Sequence, residues 1–446
     1  MKRGFTLLIT LLLLLIGILP IKASSEVPPD SLTSGIGRFN SILSEDVDSD
    51  GRDEIIFGSY DGYIVSVEYA GGDYYVDWNS PQMGERAWGL TVGQFDDDPA
   101  REIIVGDGEG VVRCFDGVSK RLEWSTKSLG RDAHGLHLYD VDSDGRNELF
   151  VGTGFKTDQG WGRIYMFHQG EEEPYDSFPR FDSRLREIYI GDLDSDGEEE
   201  LIVGSGASLG DIEGSGYLRV FDLQTKELEW ISPDLGGCME GLKVLDLDSD
   251  GKLEIVASNG YRYREGYIFV FRYEDGEYRQ VWRSDDIGPK VYGLDVGDVD
   301  EDGRLEIVAG TLSGYVYIYD AVSHTLEWRS PNLGRDVLGV VIGDPDSDGE
   351  VEIIAGQGGY QGKGDYTSGY CTPHVYVIDG KTHRIEAVLG EVDPVKEWVR
   401  VGIITALAVA VAEIGVIWRR WGRIKRWYLS GCLLYTSDAA DEGLGV

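Results

Sequence analysis

The chain has 446 residues, of which 41% are hydrophobic and 25 are tyrosine, so it can form a packed domain and is not a disordered segment. Its 80 acidic residues against 41 basic ones give a formal net charge of −39. This charge argues against a nucleic-acid partner, because phosphates need a basic surface, and it favours cations.

The first 23 residues have the pattern of a secretory signal peptide. Lys2 and Arg3 precede the apolar run FTLLITLLLLLIGILP, and Ala23 offers a small residue for cleavage. Residues 1–23 are therefore predicted to direct secretion, with an uncleaved signal anchor as the alternative.

An acidic nonapeptide then recurs about every 50 residues. The first copy, DVDSDGRDE, begins at residue 46, and similar copies begin at residues 140, 192, 246, 298 and 344. A degraded copy, QFDDDPARE, has Gln94 and Pro99 in place of the first aspartate and the glycine. A repeat of this length is typical of a propeller or a solenoid.

Each intact copy has the ligand pattern of a short calcium loop. Carboxylates occupy positions 1, 3, 5 and 9, the glycine at position 6 permits a tight turn, and position 7 offers a backbone carbonyl. An EF-hand would need its glutamate at position 12, where the first copy has Phe57. The sequence predicts about six structural calcium ions, with no high-affinity site in the degraded copy. The predicted ligands are Asp46, Asp48, Asp50, Arg52, Glu54, Asp140, Asp142, Asp144, Arg146, Glu148, Asp192, Asp194, Asp196, Glu198, Glu200, Asp246, Asp248, Asp250, Lys252, Glu254, Asp298, Asp300, Asp302, Arg304, Glu306, Asp344, Asp346, Asp348, Glu350 and Glu352.

The rest of each period contains four short runs rich in Val, Ile, Tyr and Trp. In the sixth period these runs are VYGLDVGDV, LEIVAG, GYVYIYD and TLEWRS. Four strands per period make a propeller blade, and seven periods fit between residues 36 and 390. The predicted fold is an all-β, seven-bladed β-propeller with calcium loops between strands one and two of its four-stranded blades. Trp124, Trp230 and Trp328 are predicted to pack between blades, with an aromatic ligand platform as the alternative.

One segment carries a family resemblance. GLDVGDVDEDGRLEIVAGTLSGYVYIYD, from Gly293 to Asp320, resembles an FG-GAP or VCBS repeat, as in the seven-bladed propeller of integrin α subunits. The resemblance extends roughly over residues 36–390, although the dipeptides that give the repeat its name are missing. It implies calcium on one face of the propeller and a ligand on the opposite face.

Long loops are expected on that opposite face, because strand direction alternates within a blade. They include residues 152–163, 204–216 and 356–373, and several carry the aromatic side chains that are enriched at interfaces. A protein or glycan ligand is the predicted partner, with family drift of the loops as the alternative. The predicted ligand-binding residues are Phe155, Trp161, Tyr261, Tyr263, Tyr360, Tyr366 and Tyr370.

A second apolar stretch, VGIITALAVAVAEIGVIW, lies near the end of the chain. It is about as long as a bilayer's hydrocarbon core is thick, and five basic residues follow it within eight positions, as on a cytoplasmic flank. We predict a transmembrane helix over 399–418, a cytoplasmic tail over 419–431 and an extracellular or periplasmic propeller; an amphipathic or buried helix is the alternative. Residues 432–446 resemble a translated sequencing adapter.

Three classes of function fit these features. The preferred one is a membrane-anchored, calcium-binding recognition or adhesion module that is not an enzyme. The second is a propeller enzyme, either quinoprotein-like or polysaccharide-active, because GYLRVFDLQTKELEW resembles a quinoprotein-type repeat. Against it, the six histidines are scattered, and no carboxylate pair outside the loops is expected to recur at a fixed offset. The third is an architectural component of the cell envelope.

Overall fold

The computed structural model describes residues 36, 41–84, 86–154, 162–206, 214–260, 264–334, 336–358 and 374–390. These residues form 28 strands in seven antiparallel sheets of four. Every sheet is a meander whose strands lie in chain order, from the first, innermost strand to the fourth. The predicted all-β, seven-bladed propeller of four-stranded blades is therefore confirmed.

The strands of each blade, numbered along the chain, are as follows. Blade 1 has β1 (Ile42–Glu45), β2 (Glu54–Gly58), β3 (Ile64–Ala70) and β4 (Asp73–Asn79). Blade 2 has β5 (Ala87–Gly93), β6 (Glu102–Asp107), β7 (Val112–Asp116) and β8 (Leu122–Ser125). Blade 3 has β9 (Ala133–Tyr139), β10 (Glu148–Thr153), β11 (Ile164–Phe167) and β12 (Asp176–Ser177). Blade 4 has β13 (Arg184–Gly191), β14 (Glu200–Gly206), β15 (Gly216–Asp222) and β16 (Leu228–Ile231). Blade 5 has β17 (Cys238–Leu245), β18 (Glu254–Gly260), β19 (Ile268–Glu274) and β20 (Glu277–Arg283). Blade 6 has β21 (Val291–Gly297), β22 (Glu306–Thr311), β23 (Val316–Asp320) and β24 (Leu326–Arg329). Blade 7 has β25 (Val337–Gly343), β26 (Glu352–Gln357), β27 (Val375–Asp379) and β28 (Ile385–Leu389).

The blades form a closed ring. The innermost strand of each blade contacts that of the next blade, and β25 of blade 7 contacts β1 of blade 1. Ile36 lies across this junction: its amide donates to the Gln357 carbonyl at 3.0 Å, and it forms bridges with Gly358 of blade 7 and Ser59 of blade 1. Ile36, which precedes the first strand, therefore connects the first and last blades.

The hydrophobic core lies between neighbouring blades. Second strands are buried along their whole length because both of their faces are covered, as in β6 and β14. The outer-strand tryptophans reach across these interfaces. The ring centroid of Trp124 lies 5.9 Å from that of Phe167 in blade 3, and the centroid of Trp230 lies 5.6 Å from that of Phe271 in blade 5. These contacts confirm the predicted packing role of both tryptophans.

Close packing at the centre depends on one glycine in each of several innermost strands. A Cβ atom on Gly89 would lie 2.1 Å from the carbonyl oxygen of His134, and one on Gly135 would lie 1.9 Å from that of Arg186. Real Cβ atoms do not approach backbone oxygens this closely, so only glycine lets the inner strands of adjacent blades meet.

Within the described part of the chain, no helix has the length and apolarity needed to cross a membrane. The predicted signal peptide (1–23), transmembrane helix (399–418), cytoplasmic tail (419–431) and adapter-like end (432–446) lie outside the described residues.

Candidate metal centres

The acidic nonapeptides connect the first strand of every blade to the second. In blade 1, β1 ends at Glu45, the loop follows, and Glu54 at position 9 is the first residue of β2. An equivalent glutamate at position 9 begins the second strand of every one of the seven blades, and each of these glutamates is at most 3% exposed. The predicted position of the loops is therefore confirmed, and each loop has one buried carboxylate at its base.

The six intact loops share a backbone conformation that explains their sequence. Position 4 and position 6 both have positive φ, for example 61° at Ser49 and 91° at Gly51 in blade 1. No atom would crowd a Cβ at Gly51, so its backbone conformation, and not close packing, requires glycine there. In the degraded loop of blade 2, neither Asp97 nor Pro99 has positive φ. Its backbone follows a different path.

Hydrogen bonds within each loop orient the carboxylates. In blade 1 the Asp50 and Gly51 amides donate to the two carboxylate oxygens of Asp46, at 3.1 and 3.0 Å. The Val47 amide donates to Glu54 Oε2 at 3.1 Å. As a result, oxygens of Asp46, Asp48 and Glu54 lie within 4.8 Å of one another. Convergent carboxylate oxygens at this separation suit a hard divalent cation.

The same convergence of positions 1, 3 and 9 occurs in other blades. It brings together Asp140, Asp142 and Glu148 in blade 3. In blade 4 it brings together Asp192, Asp194 and Glu200. Loops that are distant in sequence therefore present the same arrangement of carboxylate oxygens.

Burial makes the charged form of the position-9 glutamates costly. It raises the pKa of Glu54 and Glu306 to about 7, that of Glu200 to about 8 and that of Glu352 to about 9. The pKa of Glu352 is the highest of these four. Position 2 of its loop is Pro345, which has no amide to donate a hydrogen bond to the carboxylate, and the neighbouring aspartates repel the charged form.

Some buried carboxylate oxygens have no hydrogen-bond partner among the described residues. They include Glu352 Oε2 in blade 7 and Asp298 Oδ1 in blade 6. Buried oxygens without a donor are destabilising unless a cation neutralises them, so the residues present fit a bound calcium ion.

These pKa shifts predict the pH dependence of the metal-free protein. A carboxyl group whose pKa is raised from 4.5 in the folded state contributes stability that is complete below pH 4.5 and is lost as the pH rises through 7 to 9. We therefore expect thermal melts in excess chelator to show a falling melting temperature from pH 5 to pH 9.

The matched control for this prediction is Glu352→Gln, which removes the group with the highest pKa. Its melting temperature should fall less steeply between pH 5 and pH 9 than that of the unaltered protein. A melting temperature that rises over this interval in chelator would contradict the assignment.

In blade 2 a side-chain amide lies within the loop. Gln94 Nε2 donates to the Asp96 carbonyl at 2.8 Å and also to the Asp98 carbonyl. Oxygens of Asp96, Glu102 and Glu123 nevertheless lie within 4.8 Å of one another. The degraded loop thus keeps an acidic cluster, with one carboxylate supplied by strand β8.

A second set of acidic residues flanks four of the loops. The prediction that no carboxylate pair outside the loops recurs at a fixed offset is therefore wrong. An aspartate ends the third strand and a glutamate follows seven residues later on the fourth strand. The pairs are Asp116 and Glu123, Asp222 and Glu229, Asp320 and Glu327, and Asp379 and Glu386. Aligning the repeats beyond the nonapeptide would have found them.

The aspartates of these pairs have a structural role. Asp222 accepts from the Thr225 amide at 2.5 Å, and Asp320 accepts from the Ser323 amide at 2.5 Å, so each stabilises the turn between strands three and four. The glutamates face the loops, where burial and the nearby aspartates raise the pKa of Glu229 and Glu327. These pairs add negative charge beside the loops.

The assignment of seven aromatic residues to a ligand-binding site stays a prediction. Phe155, Trp161, Tyr261, Tyr263, Tyr360, Tyr366 and Tyr370 all lie outside the described residues.

The structure also has a basic site that no sequence pattern indicated. A cavity of about 280 Å³ is lined by Arg131, Arg163, Arg180, Tyr165 and Gly162. Arg131 precedes β9 and Arg163 precedes β11, so the cavity lies at the ends of these strands opposite the acidic loop that follows β9. Three arginines around one cavity are unexpected on a chain with a formal charge of −39.

Fold and loops together define a class of protein: a seven-bladed β-propeller with an acidic loop between strands one and two of each blade. Residues 246–309, from the loop of blade 5 into β22, match the FG-GAP-like repeat family. The chain is therefore a seven-bladed β-propeller, one segment of which is similar to an FG-GAP repeat.

Solved structures share the architecture. The BBS1N chain in a complex with ARL6DN is 12% identical, with a TM-score of 0.51 over 72% of this chain and 90% of that one. Sqt1 from Saccharomyces cerevisiae is 12% identical, with a TM-score of 0.50 over 79% of this chain and 88% of its own. Likeness at this identity concerns the fold alone. A comparison with curated proteins finds no match.

Proposed function

We propose that this protein is a calcium-stabilised recognition propeller that is held at the cell surface. The observation that carries the proposal is the set of buried position-9 glutamates, whose oxygens converge with those of the loop aspartates in blades 1, 3 and 4. Carboxylates in this arrangement repel one another until a cation binds among them.

Calcium in this proposal has a structural role. In blade 6 its ligands would be Asp298, Asp300, Asp302 and Glu306, with the backbone carbonyl of Arg304. The aspartates belong to the loop after the first strand, and the glutamate begins the second strand. A cation held by both would therefore fix the turn between the two innermost strands of the blade.

The ligand in this proposal is a protein or glycan that carries an acidic group and binds the face opposite the loops. The cavity lined by Arg131, Arg163 and Arg180 supports this choice, because guanidinium groups bind carboxylates and sulfates in paired geometry. Tyr165, which lies 5.9 Å below the Arg163 guanidinium, adds an aromatic surface of the kind that is common at interfaces.

Secretion and membrane attachment are part of the same proposal. They rest on the basic and apolar pattern of residues 1–23 and on the apolar segment that ends at Trp418 and is followed by a basic cluster. Calcium at extracellular concentration would saturate loops of the modest affinity that is typical of modules outside the cell.

The first test measures bound metal and ligand binding on the same full-length protein in detergent. Elemental analysis after equilibration in calcium should find several ions per chain. An array of neutral and uronic-acid glycans and of acidic peptides should show binding of acidic probes in calcium and loss of that binding in chelator.

A matched pair of variants separates the ligand site from the fold. Arg163→Ala should weaken binding of acidic probes at least tenfold while the melting temperature in calcium stays unchanged. Arg279→Ala, which removes an exposed arginine of β20, should leave binding unaltered. The proposal is overturned if no calcium binds, or if acidic probes bind equally well to both variants.

A further inference from the structure

The loop of blade 5 contains a cation from the chain itself. Arg272 on β19 lies directly opposite Glu254, the position-9 glutamate at the start of β18. Its Nε donates to Glu254 Oε1 at 2.7 Å, and its Nη2 lies 2.5 Å from Asp248 Oδ2. Glu254 is fully buried. One guanidinium therefore bridges the carboxylates of positions 3 and 9, two of the groups that a calcium ion would need.

Blade 5 alone has a permanent cation at this position. The residues opposite the position-9 glutamate in blades 2, 4, 6 and 7 are Asp116, Asp222, Asp320 and Asp379. Continuing the strand register by one residue gives Glu68 in blade 1 and His168 in blade 3, and His168 Nδ1 lies 3.3 Å from Glu148 Oε1. Five of these are acidic, and the sixth is an imidazole that can be neutral, whereas a guanidinium stays charged at any ordinary pH.

The loop of blade 5 also differs in its hydrogen bonds. In blade 1 the position-5 amide of Asp50 donates to Asp48 Oδ1 at 3.1 Å, and in blade 6 the amide of Asp302 donates to Asp300 Oδ1 at 3.1 Å. In blade 5 the equivalent oxygen, Asp248 Oδ1, accepts no hydrogen bond from the described residues, but Arg272 neutralises the same carboxylate through Oδ2. The position-3 carboxylate of this loop is engaged by β19 instead.

We infer that Arg272 replaces the calcium ion of blade 5 and holds that loop closed without metal. A divalent cation there would have to break two short ion pairs and would lie beside a fixed positive charge. Two loops of the seven, the degraded loop of blade 2 and the loop of blade 5, then lie outside the calcium set, and about five ions remain where the nonapeptides predicted about six. This inference rests on the proposed function, because it concerns which of the loops take calcium.

The experiment counts calcium ions by elemental analysis in the full-length protein and in matched variants. Glu254→Gln should leave the number of ions unchanged, whereas Glu306→Gln, the same change in blade 6, should remove one. Arg272→Asp introduces the residue that blades 2, 4, 6 and 7 have at this position, and it should add one ion. Melts in calcium establish that each variant is folded, and Arg272→Gln is the second test if Arg272→Asp does not fold.

The outcomes separate this inference from the proposed function. Loss of one ion in Glu254→Gln, with no gain in either Arg272 variant, would show that blade 5 binds calcium and would overturn the inference alone. No calcium in the unaltered protein would overturn the proposed function itself. A gain in an Arg272 variant, together with an unchanged count in Glu254→Gln, would establish the guanidinium as the replacement.

Discussion

Removal of calcium is expected to cause the largest loss of stability. An ion bound only by the folded state adds about 2.7 kcal/mol to the free energy of unfolding when free calcium is a hundred times its Kd. Five independent loops would together contribute more than about 10 kcal/mol. Urea denaturation of the full-length protein in calcium and in excess chelator measures this difference.

Magnesium is the matched control for this prediction. Its smaller radius and its demand for octahedral geometry suit the loops poorly, so magnesium should restore little of the lost stability. Amide hydrogen exchange adds a local test: the loop of blade 5 should stay protected in chelator because Arg272 still pairs with Asp248 and Glu254. Identical unfolding curves in calcium and chelator would contradict a structural role for the metal.

Glu240→Ala is expected to destabilise the protein more than any of the loop substitutions. Glu240 on β17 is fully buried; Lys290 Nζ lies 2.6 Å from its Oε1, and Arg186 Nη2 lies 3.4 Å from its Oε2. The three side chains come from consecutive parts of the ring, and both cations are buried as well. Removing the carboxylate leaves two buried positive charges together, which costs about 3–5 kcal/mol.

Urea denaturation in saturating calcium measures the effect of this substitution apart from the metal. Glu277→Ala, on the exposed outer strand β20, is the matched control and should change the free energy of unfolding by less than about 0.5 kcal/mol. A loss below about 1 kcal/mol for Glu240→Ala would mean that water or another group neutralises Arg186 and Lys290.

Much of the fold could be predicted because its signals are local. A blade is about 50 consecutive residues, and its four strands follow from short alternating runs between turn residues. The acidic loop is more local still. Its carboxylates from Asp46 to Glu54 lie within nine residues, and the positive φ at Ser49 and Gly51 is fixed by the loop itself.

The differences between the loops could not be predicted from local sequence patterns. Arg272 follows Glu254 by 18 residues, and only the register of β18 with β19 brings the two together. The recurrent pairs such as Asp222 and Glu229 are visible in the sequence. Their position beside the acidic loops, however, depends on where the third and fourth strands lie relative to the loop between strands one and two. Two loops with nearly the same nonapeptide can therefore differ in which cation neutralises their carboxylates.

The sequence by itself determined the class of fold, the number of blades and the chemistry of the acidic loops, because these depend on spacings within one repeat. Only the tertiary structure decided which charges meet across repeats. Glu240 and Lys290 are 50 residues apart, and the Ile36 amide reaches a strand that lies more than 300 residues later. Such contacts follow from closing the ring, and no local pattern encodes which side chain of one blade will face the next.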